Sequence, residues 1–195
     1  MERKTPLYQT HVDAGGKIVE FGGFLMPVQY PTGVLAEHMA VRQKAGLFDV
    51  SHMGELRLKG PDAVANVQKL ITADISAMQD GDIKYAMFCN DAGGILDDFI
   101  VYRCAADDYW LVVNAGNRDK DAAWVESHLF GDVDYRDEGD DWGQVALQGP
   151  KSGDILKKLC AEQYIPAKYY TFIDNVPLNL GSRTIHALVS QTGYT

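Results

Sequence analysis

The chain has 195 residues, of which 46% are hydrophobic and 23% are charged, as is typical of a folded globular protein. Its formal net charge of -9 argues against a surface that binds nucleic acid or anionic membrane lipid, because such a surface needs clustered Lys and Arg. The N-terminus carries charges and glycines where a signal peptide needs an apolar run, and no stretch of about 18 apolar residues follows. We therefore expect a cytoplasmic protein without a membrane span.

The cysteines and histidines predict no metal site. Cys89, Cys104 and Cys160 have no CxxC spacing, and we expect reduced thiols in apolar surroundings. The five histidines are scattered, and none pairs with another His, Cys or acid at a metal-ligand spacing.

The N-terminal segment predicts a strand pair, a helix and a further strand. The strand pair is indicated by two short apolar runs around Gly22 and Gly23 in KIVEFGGFLMPVQY. The helix, in GVLAEHMAVRQKAGLFDV, is expected to end near Gly46 and to be followed by the strand.

A strand, a Gly-Pro pair and a helix then occur twice along the chain. The two copies are ELRLKGPDAVANVQKLI and GQVALQGPKSGDILKKLC. Pro61 and Pro150 stand in the first turn of a helix, where the missing N–H costs nothing.

Three strands and a helix are predicted between these two copies. The strands KYAMFC, ILDDFIVYR and DYWLVVN are separated by short turns and predict an antiparallel meander. The helix runs from about Asn117 to Phe130, with Asn117 as its N-cap. The last segment predicts a hairpin whose second strand covers residues 185–190 and needs further chain to pair with.

These elements predict an α+β fold of antiparallel sheets with flanking helices. Residues 54–160 are expected to form one α+β domain that carries the strand with two adjacent aspartates. Residues 1–53 and 161–195 are expected to form a first, discontinuous and incomplete domain.

Asp97 and Asp98 are unusual because aspartate is depleted in strands and is rarely buried without a partner. Strand alternation puts their side chains on opposite faces. Asp97 shares its face with Arg103 and lies near the polar turn, so we expect it to be solvated or bonded to backbone. Asp98 shares its face with large apolar residues, where it is either a hydrogen-bonded structural acid or a functional group.

Two other clusters are weaker candidates. GLFDVSHMGE contains Asp49, Ser51 and His52, but triad residues converge from separate elements and neighbours in an extended segment point apart. NDAGGI is typical of a hairpin turn and lacks the pattern of a phosphate-binding loop. The residues alone thus nominate Asp98 and no reaction.

Six motifs occur in a fixed order between about residue 5 and residue 195. They are TPLYQTHVDAGGKIVEFGGFLMPVQY, EHMAVRQKAGLFDVSHMGE, NDAGGILDDFIVYR, LVVNAGNRDKD, ALQGPKS and SQTGYT. In order and spacing they resemble the aminomethyltransferase (T-protein) family of the glycine cleavage system.

This resemblance implies the aminomethyltransferase folate-binding fold and a specific reaction. The aminomethyl group on the dihydrolipoyl arm of the lipoylated H-protein would pass to tetrahydrofolate, giving 5,10-methylenetetrahydrofolate and ammonia without a metal or pyridoxal phosphate. The resemblance implies that Asp98 is the catalytic residue, so that Asp97→Asn would be the milder change. The positions that resemble the lining of the folate pocket are Tyr85, Val101, Tyr102, Asn114, Tyr170 and Tyr194.

The chain departs from the family pattern in two places. Gln191 stands where the family has an arginine, and the sequence stops at Thr195, where the family continues with folate-binding residues and a C-terminal domain. We therefore expect an N-terminal portion with the C-terminal part missing and an incomplete folate site. Two alternatives are a folate-binding portion of a sarcosine or dimethylglycine dehydrogenase and a non-enzymatic folate-binding protein of iron-sulfur cluster assembly.

Overall fold

The computed structural model describes residues 2–193, and these divide into two compact units. The first unit comprises the residues up to Val50 and from Gly143 onward, and the second comprises Ser51–Trp142. The second unit is therefore inserted into the chain of the first.

The described residues form strands and helices in both units. The strands in chain order are β1 (Arg3–Lys4), β2 (Ile18–Phe21), β3 (Phe24–Pro27), β4 (Gly46–Asp49), β5 (Gly54–Lys59), β6 (Ile83–Cys89), β7 (Ile95–Ala105), β8 (Asp108–Val113), β9 (Asp134–Asp137), β10 (Val145–Gln148), β11 (Phe172–Leu180) and β12 (Arg183–Ser190). The helices are α1 (Tyr8–Asp13), α2 (Val34–Gln43), α3 (Ala63–Leu70), α4 (Arg118–Ser127) and α5 (Ser152–Leu156), with 3₁₀ turns at Ala115–Asn117 and Glu162–Tyr164.

The second unit is built on an antiparallel sheet in the order β6-β7-β8-β5-β9. The predicted meander of β6, β7 and β8 is present, and the predicted α+β class is confirmed. Sequence reasoning missed β9 because its residues, DYRD, are mostly charged. Such a strand is typical of a sheet edge, where charge opposes pairing with another chain.

The core of the second unit combines the inner face of this sheet with α3 and α4. Leu56, Leu111, Val113, Val67 and Val125 are fully buried there. All six residues of β8 are buried, which fits its position at the centre of the sheet. The other face of β8 is also covered, because the Trp142 ring packs edge-on against Trp110 at 4.7 Å between centroids.

The described residues of the first unit form three small sheets, ordered β1-β3-β2, β10-β4 and β11-β12. A polar network ties α1 to β4 within it. His11 is buried, with Nε2 2.9 Å from Asp49 Oδ2 and Nδ1 2.7 Å from the Tyr30 hydroxyl. Thr5 donates a further hydrogen bond to the Asp49 carboxylate, so this buried acid is satisfied by partners from separate segments.

The predicted second domain, residues 54–160, differs from the second unit at both ends, because that unit begins at Ser51 and ends at Trp142. The sequence pattern assigns residues 143–160 to the second domain, whereas the structure places them in the first unit. The reason is that β10 pairs with β4, from Val145 opposite Asp49 to Gln148 opposite Gly46. A strand–Gly-Pro–helix pattern predicts the elements but does not reveal which strand is the partner.

The glycines of the two Gly-Pro pairs are required by backbone geometry. Gly60 and Gly149 have φ values of +132° and +111°, which side chains rarely tolerate. A Cβ on Gly149 would lie 2.5 Å from the Val41 carbonyl oxygen, and one on Gly60 would lie 2.8 Å from that of Asp132. The repeated motif therefore makes the same kind of strand-to-helix joint in each unit.

Helix α3 offers a matched test of the core. Val67 is fully buried and Val64 is exposed on the same helix. We predict that Val67→Ala lowers the free energy of unfolding by about 2 kcal/mol, from lost burial plus a cavity. Val64→Ala should change it by less than about 0.5 kcal/mol. Urea unfolding followed by tryptophan fluorescence measures this unit, because Trp110, Trp124 and Trp142 all lie in it.

Candidate functional site

Asp98 lies on the exposed face of β7, beside a tyrosine of the neighbouring strand. The Tyr85 hydroxyl donates a hydrogen bond to Asp98 Oδ2 over 2.5 Å, a length typical of a hydroxyl bonded to a carboxylate. The two residues lie diagonally across the β6–β7 ladder, since Tyr85 is opposite Ile100 and Asp98 is opposite Met87. The Tyr85 side chain is 49% exposed, so an aromatic ring and a carboxylate stand together on an open surface.

The predicted environments of the two aspartates are wrong, because the structure reverses them. Asp97 is buried, on the face of β7 that also carries the core residues Phe99 and Val101, and Asp98 is exposed. Strand alternation correctly separated the two side chains. It did not reveal which face meets the core, because the groups that make Asp97 tolerable there come from a later part of the chain.

Asp97 is surrounded by hydrogen-bond donors from the turn after β8. Asn114 donates its backbone N–H to Oδ2 over 3.2 Å and its side-chain Nδ2 to Oδ1 over 3.0 Å. Asn117 Nδ2 donates to the same Oδ1 over 2.7 Å. Burial acts to raise the pKa of Asp97, but hydrogen bonds from Asp121, Asn114 and Asn117 outweigh it and hold the pKa below its ordinary value.

Asp121, on α4, is fully buried, and its carboxyl group is one of the groups that lower the pKa of Asp97. Burial raises the pKa of Asp121 to about 8, and the hydrogen bond and negative charge of Asp97 act in the same direction against the opposing charge of Lys120. Asp121 is therefore neutral at pH 7 and can donate its proton to Asp97. Two nearby carboxyl groups favour this arrangement because they cannot both ionise without strong repulsion.

Side chains also hold the backbone on both sides of Asp97. Asn114 Nδ2 donates to the Asp98 carbonyl oxygen over 2.7 Å, and Lys120 Nζ donates to that of Leu96 over 2.6 Å. Lys120 Nζ also donates to Asn117 Oδ1 over 2.9 Å. The main chain that carries Asp98 is thus fixed by the same group of residues that surrounds Asp97.

The structure brings three of the predicted site residues together, namely Asp98, Tyr85 and Asn114. Tyr102 is buried farther along the side of β7 that carries Asp98. Val101 is fully buried on the opposite side, where its side chain belongs to the core. Strand alternation thus separates the Val101 side chain from Asp98, and the folate contact that the family resemblance implies for Val101 stays a prediction.

The remaining two predicted residues are Tyr170 and Tyr194. Tyr170 lies in the first unit, with a positive φ of 59°, and its backbone N–H donates to the Gln191 carbonyl oxygen. Tyr194 lies outside the described residues.

Sequence reasoning missed the roles of Lys120 and Asp121 and the hydrogen bond of Asn117 to Asp97. Asn117 does occupy the N-cap position of α4, but it makes no side-chain cap bond there and its amide donates to Asp97. The signal in the sequence was the spacing of Asn117 and Asp121, which places both on one side of the helix start.

Glu55 on β5 is a second buried acid. Burial raises its pKa to about 8, the positive charge of Arg118 opposes this, and the charges of Asp137, Asp140 and Glu138 reinforce it. Glu55 is therefore protonated at neutral pH. Among the described residues, it forms no hydrogen bond with Asp97 or Asp98.

Residues 2–193 contain neither a helix that could span a membrane nor a cluster of metal ligands. No helix is long and apolar enough to cross a membrane. No group of three or more His, Cys, Asp or Glu side chains is arranged to hold a metal ion in that part of the chain.

Comparison with known families identifies the fold. A family model described as the GCVT N-terminal domain matches residues 7–195. The chain belongs to this family. The resemblance found in the sequence motifs is thereby confirmed, and the GCVT N-terminal domain family covers both units described above.

Curated relatives of this GCVT-family chain are aminomethyltransferases. That of Desulfitobacterium hafniense is 46% identical over 198 residues, covering 99% of this chain and 52% of the relative. That of Desulforamulus reducens is 47% identical, covering 99% and 51%, and that of Bacillus licheniformis is 44% identical, covering 100% and 52%. The chain spans about half the length of the curated relatives it matches.

A solved structure has the same fold. The crystal structure of glycine cleavage system aminomethyltransferase T from Bartonella henselae superposes with a TM-score of 0.80 at 35% identity, covering 89% of this chain and 48% of that one. The antiparallel α+β architecture is therefore that of an aminomethyltransferase N-terminal portion.

Replacing Glu55 with its neutral isostere tests the buried acid. The unfolded chain releases this proton near pH 4.5 and the native chain near pH 8, so the native state binds more protons between these values. The stability of the wild type should therefore fall as pH rises through this window, by at most about 1.4 kcal/mol per pH unit from this group.

We predict that Glu55→Gln removes the fall in stability that the ionisation of Glu55 causes as the pH rises. The variant should match the wild type near pH 4.5 and exceed its free energy of unfolding by about 1–3 kcal/mol near pH 8. Urea unfolding at both pH values measures the difference, with Glu126→Gln at an exposed position of α4 as the matched control. A constant difference between Glu55→Gln and wild type would contradict the assignment.

Proposed function

We propose that the protein transfers the aminomethyl group carried on the dihydrolipoyl arm of the H-protein to tetrahydrofolate, giving 5,10-methylenetetrahydrofolate and ammonia. The observation that carries the proposal is the exposed Asp98 carboxylate, held by the Tyr85 hydroxyl at 2.5 Å on the open face of β6 and β7. Family membership and the aminomethyltransferase relatives support the same reaction. They favour transfer over the dehydrogenase-linked and iron-sulfur alternatives.

The reaction needs a group that accepts protons at the folate. Two C–N bonds form between the methylene carbon and two folate nitrogens, while the bonds from that carbon to the ammonia nitrogen and the lipoyl sulfur break. The two folate nitrogens each lose a proton, and the leaving amine and thiolate each gain one. We propose that Asp98 accepts a proton from a folate nitrogen as it attacks, which is the work of a general base.

The neighbouring residues have supporting roles in this proposal. The Tyr85 hydroxyl orients the Asp98 carboxylate, and its exposed ring offers an aromatic face to a flat pterin. Asn114 fixes the Asp98 main chain. Tyr102, Tyr170 and Tyr194 stay predictions that rest on the family resemblance alone.

We also propose the partners of the protein and the cellular location of the reaction. The lipoylated H-protein is the donor, tetrahydrofolate is the acceptor, and we assign no metal or pyridoxal phosphate to this step. We place the reaction in the cytoplasm.

The central test is Asp98→Asn, which keeps the shape of the side chain and removes the base. We predict a fall of about 10²–10⁴-fold in ammonia release from aminomethyl-loaded H-protein in the presence of tetrahydrofolate. Asp91→Asn removes the same charge from the exposed turn of the same hairpin and should leave the rate within about two-fold, as expected for a surface change. Unchanged ammonia release in Asp98→Asn would remove Asp98 from the mechanism.

Substitutions of Tyr85 separate its hydroxyl from its ring. Tyr85→Phe removes one exposed hydrogen bond worth about 1 kcal/mol, so kcat should fall about five-fold while the Kd for tetrahydrofolate changes little. Tyr85→Ala also removes the ring and should weaken tetrahydrofolate binding by about ten-fold. Isothermal titration and initial rates measure the two effects. Equal affinities in both variants would contradict a ring contact with the pterin.

A further inference from the structure

The part of β7 that carries Asp98 is held on one side by side chains instead of a neighbouring strand. The β7–β8 ladder begins only at Ile100 opposite Val112, so the preceding residues of β7 pair with β6 alone. The β6–β7 register also shifts between Phe88 and Cys89, where β7 has an extra residue. A strand end with one ladder and a bulge needs other anchors to hold a fixed position.

Asp97 organises the groups that supply these anchors. Its carboxylate binds Asn114 through two donors and Asn117 through one. Asn114 then donates to the Asp98 carbonyl oxygen, as Lys120 does to the Leu96 carbonyl oxygen. Asn114 and Lys120 therefore hold the backbone on the two sides of Asp97. The Asp97 carboxylate in turn holds Asn114 directly and Lys120 through Asn117.

Asp121 completes this arrangement from α4. It is fully buried, and no described N–H or O–H donor is hydrogen-bonded to either of its carboxyl oxygens. Lys120 Nζ is 3.9 Å away, beyond hydrogen-bonding distance. The contact between Asp121 and Asp97 is therefore a hydrogen bond only when one of the two carries a proton. Asp97 already accepts three other hydrogen bonds, so the proton belongs on Asp121.

We propose that Asp97 and Asp121, joined by one shared proton, are positioning residues that fix Asn114 and the main chain of Asp98. This rests on the proposed function, because the position of the Asp98 carboxylate matters only if Asp98 acts on a substrate. Neither residue is proposed to touch the folate.

The arrangement predicts a loss of activity at alkaline pH. Asp97 and Lys120 are the charged groups that act on Asp121, the first from β7 and the second from its own helix. Above about pH 8 Asp121 loses its proton, and two buried carboxylates then repel each other. The hydrogen bond between them is lost, and with it the fixed position of Asn114.

Two substitutions of Asp121 distinguish positioning from mere packing. Asp121→Asn keeps a donor toward Asp97 without an ionisable proton. We expect kcat within about three-fold of wild type and no loss of rate above pH 8 from this pair. Asp121→Leu keeps the approximate size and removes the donor, and should lower kcat about 10–100-fold while KM for the H-protein stays near its wild-type value.

A second readout needs no substrate. The side-chain amide resonances of Asn114 and Asn117, followed by nuclear magnetic resonance in the 195-residue chain, should shift with pH around a midpoint near 8. The shift should be absent in Asp121→Asn. Both measurements are made in a Glu55→Gln background, because Glu55 also releases its proton near pH 8.

The outcomes separate this inference from the proposed function. Amide resonances that do not titrate, or that still titrate in Asp121→Asn, overturn the shared proton whatever the activity. Wild-type kcat in Asp121→Leu overturns the positioning role. Amide resonances that behave as expected, together with full activity in Asp98→Asn, leave the shared proton standing and remove the proposed function of Asp98 instead.

Discussion

A carboxylate inside a protein must be surrounded by donors, and the candidate site is built around that requirement at Asp97. Burying this charge requires Asn114 and Asn117 to turn toward β7, which sets the path of the chain between β8 and α4. The first turn of α4 adds Asp121, whose pKa burial raises to about 8, so that its protonated carboxyl group can donate to Asp97. Hydrogen bonds from this group of residues hold the backbone of the exposed Asp98. The position of Asp98 on the open surface therefore depends on the buried carboxylate of Asp97.

In the proposed mechanism, the adjacent residues Asp97 and Asp98 perform two tasks that one residue could not perform. A group that organises its surroundings must be desolvated and permanently ionised, whereas a group that exchanges protons with a substrate must be reachable. The two-residue period of a strand supplies both environments at neighbouring positions without any irregular backbone between them. Asp97 is bonded on every side within the protein, and Asp98 has one tyrosine partner and an open side.

Much of this architecture could be predicted because local patterns determine it. Apolar and β-branched runs located the β6–β7–β8 meander, and the Gly-Pro joints located α3 and α5. The predictions that were wrong or missing concern contacts between segments that are distant in the sequence. The partner of β10, the polar edge strand β9 and the face of β7 that meets the core are all decided by residues far away in the sequence. Asp97 is the clearest case, because its donors lie 17 and 20 residues later.

The insertion of the second unit between β4 and β10 has a consequence during protein synthesis. The backbone N–H of Val50 bonds the Gln144 carbonyl oxygen at 3.0 Å, so the chain leaves the first unit and returns to it at adjacent points. On a growing chain, the whole of Ser51–Trp142 emerges before β10 does. The inserted unit can then fold as soon as it is complete, as domains generally do, while the β4–β10 ladder still awaits its second strand. Once folded, it replaces a long flexible connection with a rigid one, which lowers the entropy cost of closing that ladder.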